Sequence, residues 1–134
     1  MRKVDKIILH CSATREGQHF TTADIDSWHK ARGFARIGYH YVIYLDGSVH
    51  KGRAEEQIGA HCLGHNSSSV GICYIGGLDS KGNAKDTRTP AQRESLMKLV
   101  NEMKMKYPQA KVYGHREFAN KACPCFDVKK EFRV

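Results

Sequence analysis

The run Val70-Gly-Ile-Cys-Tyr-Ile75 contains no charged residue. A strand with one wet face alternates apolar and polar side chains, whereas a continuous apolar run indicates burial on both faces. Such a strand needs helices on either side of its sheet, so this segment implies a layered α/β domain with Val70–Ile75 at the sheet centre. Ile7-Ile8-Leu9, within Val4 to Cys11, reads as a second strand of this kind that ends at His10.

The remaining elements fit around that sheet. Thr21-Thr22-Ala23-Asp24 resembles a capping box that opens a helix over Thr22–Arg32, with Ile25 and Trp28 facing inward and Gly33 as the stop. Tyr39 to Leu45 is β-rich, Asp46-Gly47 favours a two-residue turn, and Ser48 to His50 returns as the partner strand. Strict alternation would put Tyr39, Tyr41 and Ile43 on one face. Gly76 to Arg88 reads as a surface loop. Thr89 is a good N-cap, Pro90 suits the first helical position and Gln92 completes a second capping box. Leu96, Leu99, Val100 and Met103 form the core-facing stripe of that helix, which stops before Pro108. Lys111 to Tyr113 is a short strand leading to His115, and Phe126 to Phe132 closes the chain as a turn or two of helix. With no internal repeat, residues 1–134 are expected to form a single α/β domain with a central mixed β-sheet flanked by α-helices.

Composition narrows the class further. At 134 residues, 40% apolar and 27% charged, with 12 Gly and only 3 Pro, the chain is neither disordered nor fibrous. No apolar run approaches the roughly 18 residues of a membrane span, and the first ten residues lack the pattern of a signal peptide. Cytosolic synthesis without membrane insertion is therefore expected. Five cysteines form an odd set, so at least one is free or metal-bound, and reduced thiols are the default. The net charge of +8 favours a polyanionic partner such as nucleic acid or an anionic cell wall without specifying a reaction. No Cys-x-x-Cys knuckle or basic helical run accompanies it, so nucleic acid is not the expected partner.

His10 and His115 each end a strand, where a rigid backbone can hold a side chain over a cleft, and Cys123 follows within reach of a short loop. Two neutral imidazoles and a thiolate suit Zn²⁺ and leave a fourth tetrahedral position open, the pattern of a catalytic site. The wide spacing matches no local zinc motif. On the residues alone, polar side chains satisfied at strand ends remain the simpler account.

The segments His10-Cys-Ser-Ala-Thr14, Ile37-Gly-Tyr-His-Tyr41, Gly59-Ala-His61, Gly64-His-Asn66, Ser69-Val-Gly-Ile-Cys73, Thr89-Pro-Ala-Gln92, Gly114-His-Arg-Glu117 and Lys121-Ala-Cys-Pro124 change that balance. In this order the chain is similar to the zinc N-acetylmuramoyl-L-alanine amidases of the phage lysozyme and peptidoglycan-recognition-protein family. The resemblance implies His10, His115 and Cys123 as zinc ligands, Tyr39 and Lys121 as catalytic residues, and His61 and Asn66 as substrate contacts. It implies the same mixed sheet with flanking helices. Zinc would activate water near neutral pH and polarise the amide, Lys121 would stabilise the developing oxyanion, and Tyr39 would orient the reacting groups.

The expected substrate is peptidoglycan or a muropeptide, cut by a monomer that reaches the wall after a holin or another route opens the way. Glu117 is a reserve proton shuttle, an orienting partner for a ligand histidine, or an ordinary ion pair. Cys11 is expected in the core because strand alternation points it away from His10, Cys73 because it lies in the apolar strand, and Trp28 is also expected in the core. Cys125 departs from the family pattern: it is a spectator, a competitor for zinc, or an oxidation partner of Cys123. Three alternatives remain: a non-catalytic peptidoglycan-binding module, a basic nucleic-acid-binding protein, and a hydrolase with Cys123 as nucleophile.

Overall fold

The computed structural model describes residues 2–133. In chain order its elements are β1 (Lys6–Cys11), β2 (Thr14–Arg15), α1 (Thr22–Ala31), β3 (Tyr41–Ile43), β4 (Val49–Lys51), β5 (Ser69–Tyr74), β6 (Gly77–Leu78), α2 (Pro90–Lys106), β7 (Lys111–Gly114) and α3 (Val128–Phe132). The main sheet has the order β4-β3-β5-β1-β7, parallel except for the antiparallel β3–β4 pair. The apolar strand β5 is therefore central, and all its residues are buried. The expected mixed sheet with flanking helices is what the chain forms.

The two faces carry different cores. Ile7, Leu9, Cys11, Val70, Ile72 and Tyr74 point to the side covered by α2, whose Leu96, Leu99, Val100 and Met103 complete the packing. Each such side chain contributes about 1.5–3 kcal/mol when fully buried. On the opposite face Val42, Cys73 and Ile75 meet Ile25 of α1 and Ile37. Both helices open with the capping boxes expected, Thr21 with Asp24 and Thr89 with Gln92.

Several local expectations are corrected. Trp28 is 38% exposed and stands edge-on to Phe20; the inward residues of α1 are Ile25 and His29, one turn apart. The hairpin turn is a three-residue loop, Leu45-Asp46-Gly47: Tyr44 N–H donates to Ser48 O, and Gly47 N–H to Tyr44 O. Gly47 has φ 86°, and a Cβ there would lie 2.8 Å from Ala91 O, so the loop can nestle on the start of α2. Thr89 and Ser95 hydroxyls bind the Leu45 and Gly47 carbonyls and fix that seat. Tyr39 does not share a face with Tyr41 and Ile43. It precedes β3 and packs with Val42 and Cys73, on the α1 side of the sheet. The loop after β5 contains β6, which pairs in parallel with β2 as a small second sheet. Arg88 anchors the far end of that loop between Asp86 and Glu131, with its guanidinium 3.4 Å from the centre of the Phe126 ring.

Candidate metal centre

Sheet register explains how distant histidines meet. In the β1–β7 pair Leu9 lies opposite Gly114, so His10 and His115 leave the same end of neighbouring parallel strands. Their ring centroids are 4.6 Å apart. Arg116 N–H donates to Cys123 O at 2.7 Å, and Tyr74 hydroxyl to Pro124 O at 2.6 Å, which folds the following loop back over the strand ends. Cys123 Sγ then lies 4.0 Å from His10 Nδ1 and accepts from Cys11 N–H. One ligand atom from each of His10, His115 and Cys123 falls within 4.8 Å of the other two.

This donor set fits zinc. Burial holds His10 and His115 below the usual imidazole pKa, which keeps lone pairs free on rings otherwise shared with a proton, and a nearby thiol is the soft donor zinc accepts. Among the described residues no carboxylate competes: neither Asp nor Glu lines the adjoining cleft of about 500 Å³.

Tyr39, Lys121, His61 and Asn66 all line this cleft together with His115. The Tyr39 ring sits 5.1 Å from that of His10, and burial pushes its hydroxyl well above the usual phenol pKa, so it is a neutral donor at neutral pH. Lys121 is exposed on the rim and makes no ion pair among the described residues. Asn66 Oδ1 accepts from the backbone N–H groups of His61 and Cys62, which staples the loop carrying His61. His61 is buried, its Nδ1 2.8 Å from His10 Nε2, and burial pushes its pKa down to about 3.

Glu117 takes the plainest of its three roles. Its carboxylate accepts from Gly114 N–H at 2.7 Å and pairs with Arg133 at 2.6 Å, turned from the cleft. Cys125 Sγ lies 3.9 Å from Cys11 Sγ and donates to Gly77 O, so the thiol nearest to it is that of Cys11. Cys11 and Cys73 are both buried, as expected. The sequence reading missed His29, which accepts from Gly38 N–H through Nδ1 and packs 5.3 Å from the Tyr39 ring. Its signal was available: it falls one turn after Ile25 on the inward stripe of α1. Arg32, set over Phe34, and Phe118 also line the cleft and were not singled out.

Comparison with known proteins agrees with this architecture. The endolysin of Escherichia phage T7 is 44% identical over 126 residues, covering 94% of this chain and 83% of its own. Among solved structures, the N-acetylmuramoyl-L-alanine amidase LysC from Clostridium intestinale URNW superposes with a TM-score of 0.83 at 28% identity, covering 99% of this chain and 87% of its own. Drosophila PGRP-LB does so with a TM-score of 0.80 at 26% identity, covering 98% and 80%. The sequence profile described as N-acetylmuramoyl-L-alanine amidase matches residues 1–126, which include both strand-end histidines, the returning loop and the cleft between them. This chain belongs to the N-acetylmuramoyl-L-alanine amidase family.

Proposed function

We propose that the protein hydrolyses the amide bond between the lactyl group of N-acetylmuramic acid and the L-alanine of the peptidoglycan stem peptide, with His10, His115 and Cys123 holding a zinc ion. The observation that carries this is the convergence of those three donors, within 4.8 Å of one another, beside a cleft of about 500 Å³ that His115 lines and that is large enough for a muropeptide segment. When bound, zinc supplies Lewis acidity that activates water at neutral pH and polarises the amide carbonyl.

The chain's own groups serve the rest of the reaction. The Lys121 ammonium, free on the rim, stabilises negative charge as it develops on the carbonyl oxygen, the contribution of an oxyanion-hole donor. The Tyr39 hydroxyl, held protonated by burial, donates a hydrogen bond that orients the reacting groups. Since no carboxylate among the described residues lines the cleft, Tyr39 and Lys121 are the protonated groups at hand for the departing alanine amine. Asn66 meets the substrate from the cleft wall. Peptidoglycan or a muropeptide is the substrate and a monomer the working unit. Its phage relatives carry the name endolysin, and we assign the same place of action, the cell wall reached after release through an opened membrane.

The test is an end-group assay on purified peptidoglycan. The protein should liberate new L-alanine amino termini, and Cys123→Ala should not. Release of reducing sugar ends instead, or undiminished alanine release by Cys123→Ala, would refute the reading. A thiol nucleophile at Cys123 predicts the same loss but full activity in a strong chelator, which separates the two mechanisms.

A further inference from the structure

The mechanism gives no task to His61 and Ser69, yet both are buried directly behind a proposed ligand. His10 uses its two ring nitrogens differently: Nδ1 faces Cys123 Sγ, while Nε2 lies 2.8 Å from His61 Nδ1. On the far side of the His61 ring, Nε2 is 3.3 Å from Ser69 Oγ. From these contacts, and resting on the metal-site reading above, we infer that His61 and Ser69 form a buried relay that holds His10 in the tautomer able to donate Nδ1 to the metal. His61 is thus a positioning residue rather than a substrate contact.

A neutral imidazole carries one N–H. If Nδ1 of His10 gives its lone pair to a metal, the proton resides on Nε2 and is donated to His61 Nδ1. That nitrogen must then be bare, so His61 carries its proton on Nε2 and donates to the Ser69 hydroxyl oxygen. The reverse arrangement puts the His10 proton on Nδ1, aimed at the metal position, and abolishes ligation. An outer partner that fixes the tautomer of a ligating histidine is a general requirement of metal sites, and here a neutral histidine fills a place usually held by a carboxylate or carbonyl.

The surroundings are built for this one placement. A Cβ on Gly71 would lie 2.6 Å from the His61 ring, and one on Gly59 2.7 Å from it, so two glycines leave the slot the ring occupies. Asn66 fastens the His61 backbone. The neighbouring His40 is engaged elsewhere, accepting from Gly71 N–H and contacting Gln57 O, and does not compete for either His61 nitrogen.

The test compares zinc affinity, by competition with a chromophoric chelator, among the wild type, His61→Phe, His61→Asn and Ser69→Ala. Phe keeps the ring shape without an acceptor and should weaken zinc binding about 10–100-fold. Asn presents Oδ1 where Nδ1 stood and should restore affinity to within a few-fold, with Ser69→Ala falling between. Thermal melting of each metal-free variant checks folding. Nitrogen-15 NMR of the zinc-loaded wild type should show His61 bare at Nδ1 and protonated at Nε2, and this measurement decides alone if His61→Phe does not fold. A folded His61→Phe that binds zinc as tightly as the wild type, or a His61 proton found on Nδ1, overturns the relay. A wild type that takes up no zinc overturns the metal-site reading itself, and the relay with it.

Discussion

Replacing Gly71 by alanine is a sharp probe of how the sheet supports the site. Gly71 sits in the middle of β5, opposite Ile8, and its φ lies outside the left-handed region, so alanine meets no backbone penalty. The whole effect comes from the added methyl. Its three nearest neighbours all belong to the His61 ring, at 2.6, 2.6 and 2.8 Å, roughly 1 Å inside ordinary contact. The ring is hemmed in by Gly59 and His10, so it cannot yield without leaving Nε2 of His10. Overpacking of this kind costs about 1–3 kcal/mol. At about 4 °C per kcal/mol for a domain of this size, a 2 kcal/mol loss lowers the melting temperature by roughly 8 °C. Repeating the substitution in a His61→Ala background completes a double-mutant cycle. There the methyl enters space the ring has vacated, and the penalty should fall nearly to zero. An equal melting shift in both backgrounds would show that the clash is not with His61.

Other outcomes follow from the same geometry. Lys121→Ala should lower kcat about 10²–10³-fold with little change in KM, as measured on a soluble muropeptide, and should leave the melting temperature unchanged because the side chain is exposed and unpaired among the described residues. Cys125→Ser should keep activity within about twofold, since a serine hydroxyl can also donate to Gly77 O and the thiol faces Cys11 rather than the ligand set; a large loss would assign Cys125 to the centre. Acid should destabilise the metal-free fold. His61, His10, His40 and His29 all have pKa values lowered by burial, so below about pH 6.5 the unfolded chain binds more protons than the folded one. The stability they contribute is complete above that pH and is lost as the pH falls, by about 1.4 kcal/mol per pH unit for His61 alone until its folded value of about 3 is reached. Urea midpoints that stay flat from pH 7.5 to 5 would contradict this.

Much of the architecture was legible because it is set locally. The apolar run of β5 marked the sheet centre, and the Thr21–Asp24 and Thr89–Gln92 boxes marked both helix starts, since a cap is closed by residues three apart. The errors arose where distant chain decides. Asp46-Gly47 has the composition of a tight turn, yet the loop is shaped by hydroxyls of α2 that bind its carbonyls. Trp28 is the more apolar residue, but His29 holds the inward position because its Nδ1 receives Gly38 N–H. Tyr39 lies on the opposite face from Tyr41 and Ile43 because the alternation of β3 does not extend back to it. For the site, spacing alone could not join His10 to His115, because their meeting depends on β1–β7 register; family resemblance supplied the set that the register explains. The contact between His10 and His61 had no sequence signal, being set by the close approach that Gly71 and Gly59 permit.

The central claim is that two imidazoles and one thiolate grip a single zinc ion while leaving it reachable from the cleft. Zinc K-edge absorption spectroscopy on the purified protein addresses this directly. The spectrum should show one zinc per chain, with two nitrogen neighbours at about 2.0 Å, one sulfur at about 2.3 Å and a further light atom from solvent. A chain that retains no zinc, or a zinc with a second sulfur neighbour closing the open position, would contradict it.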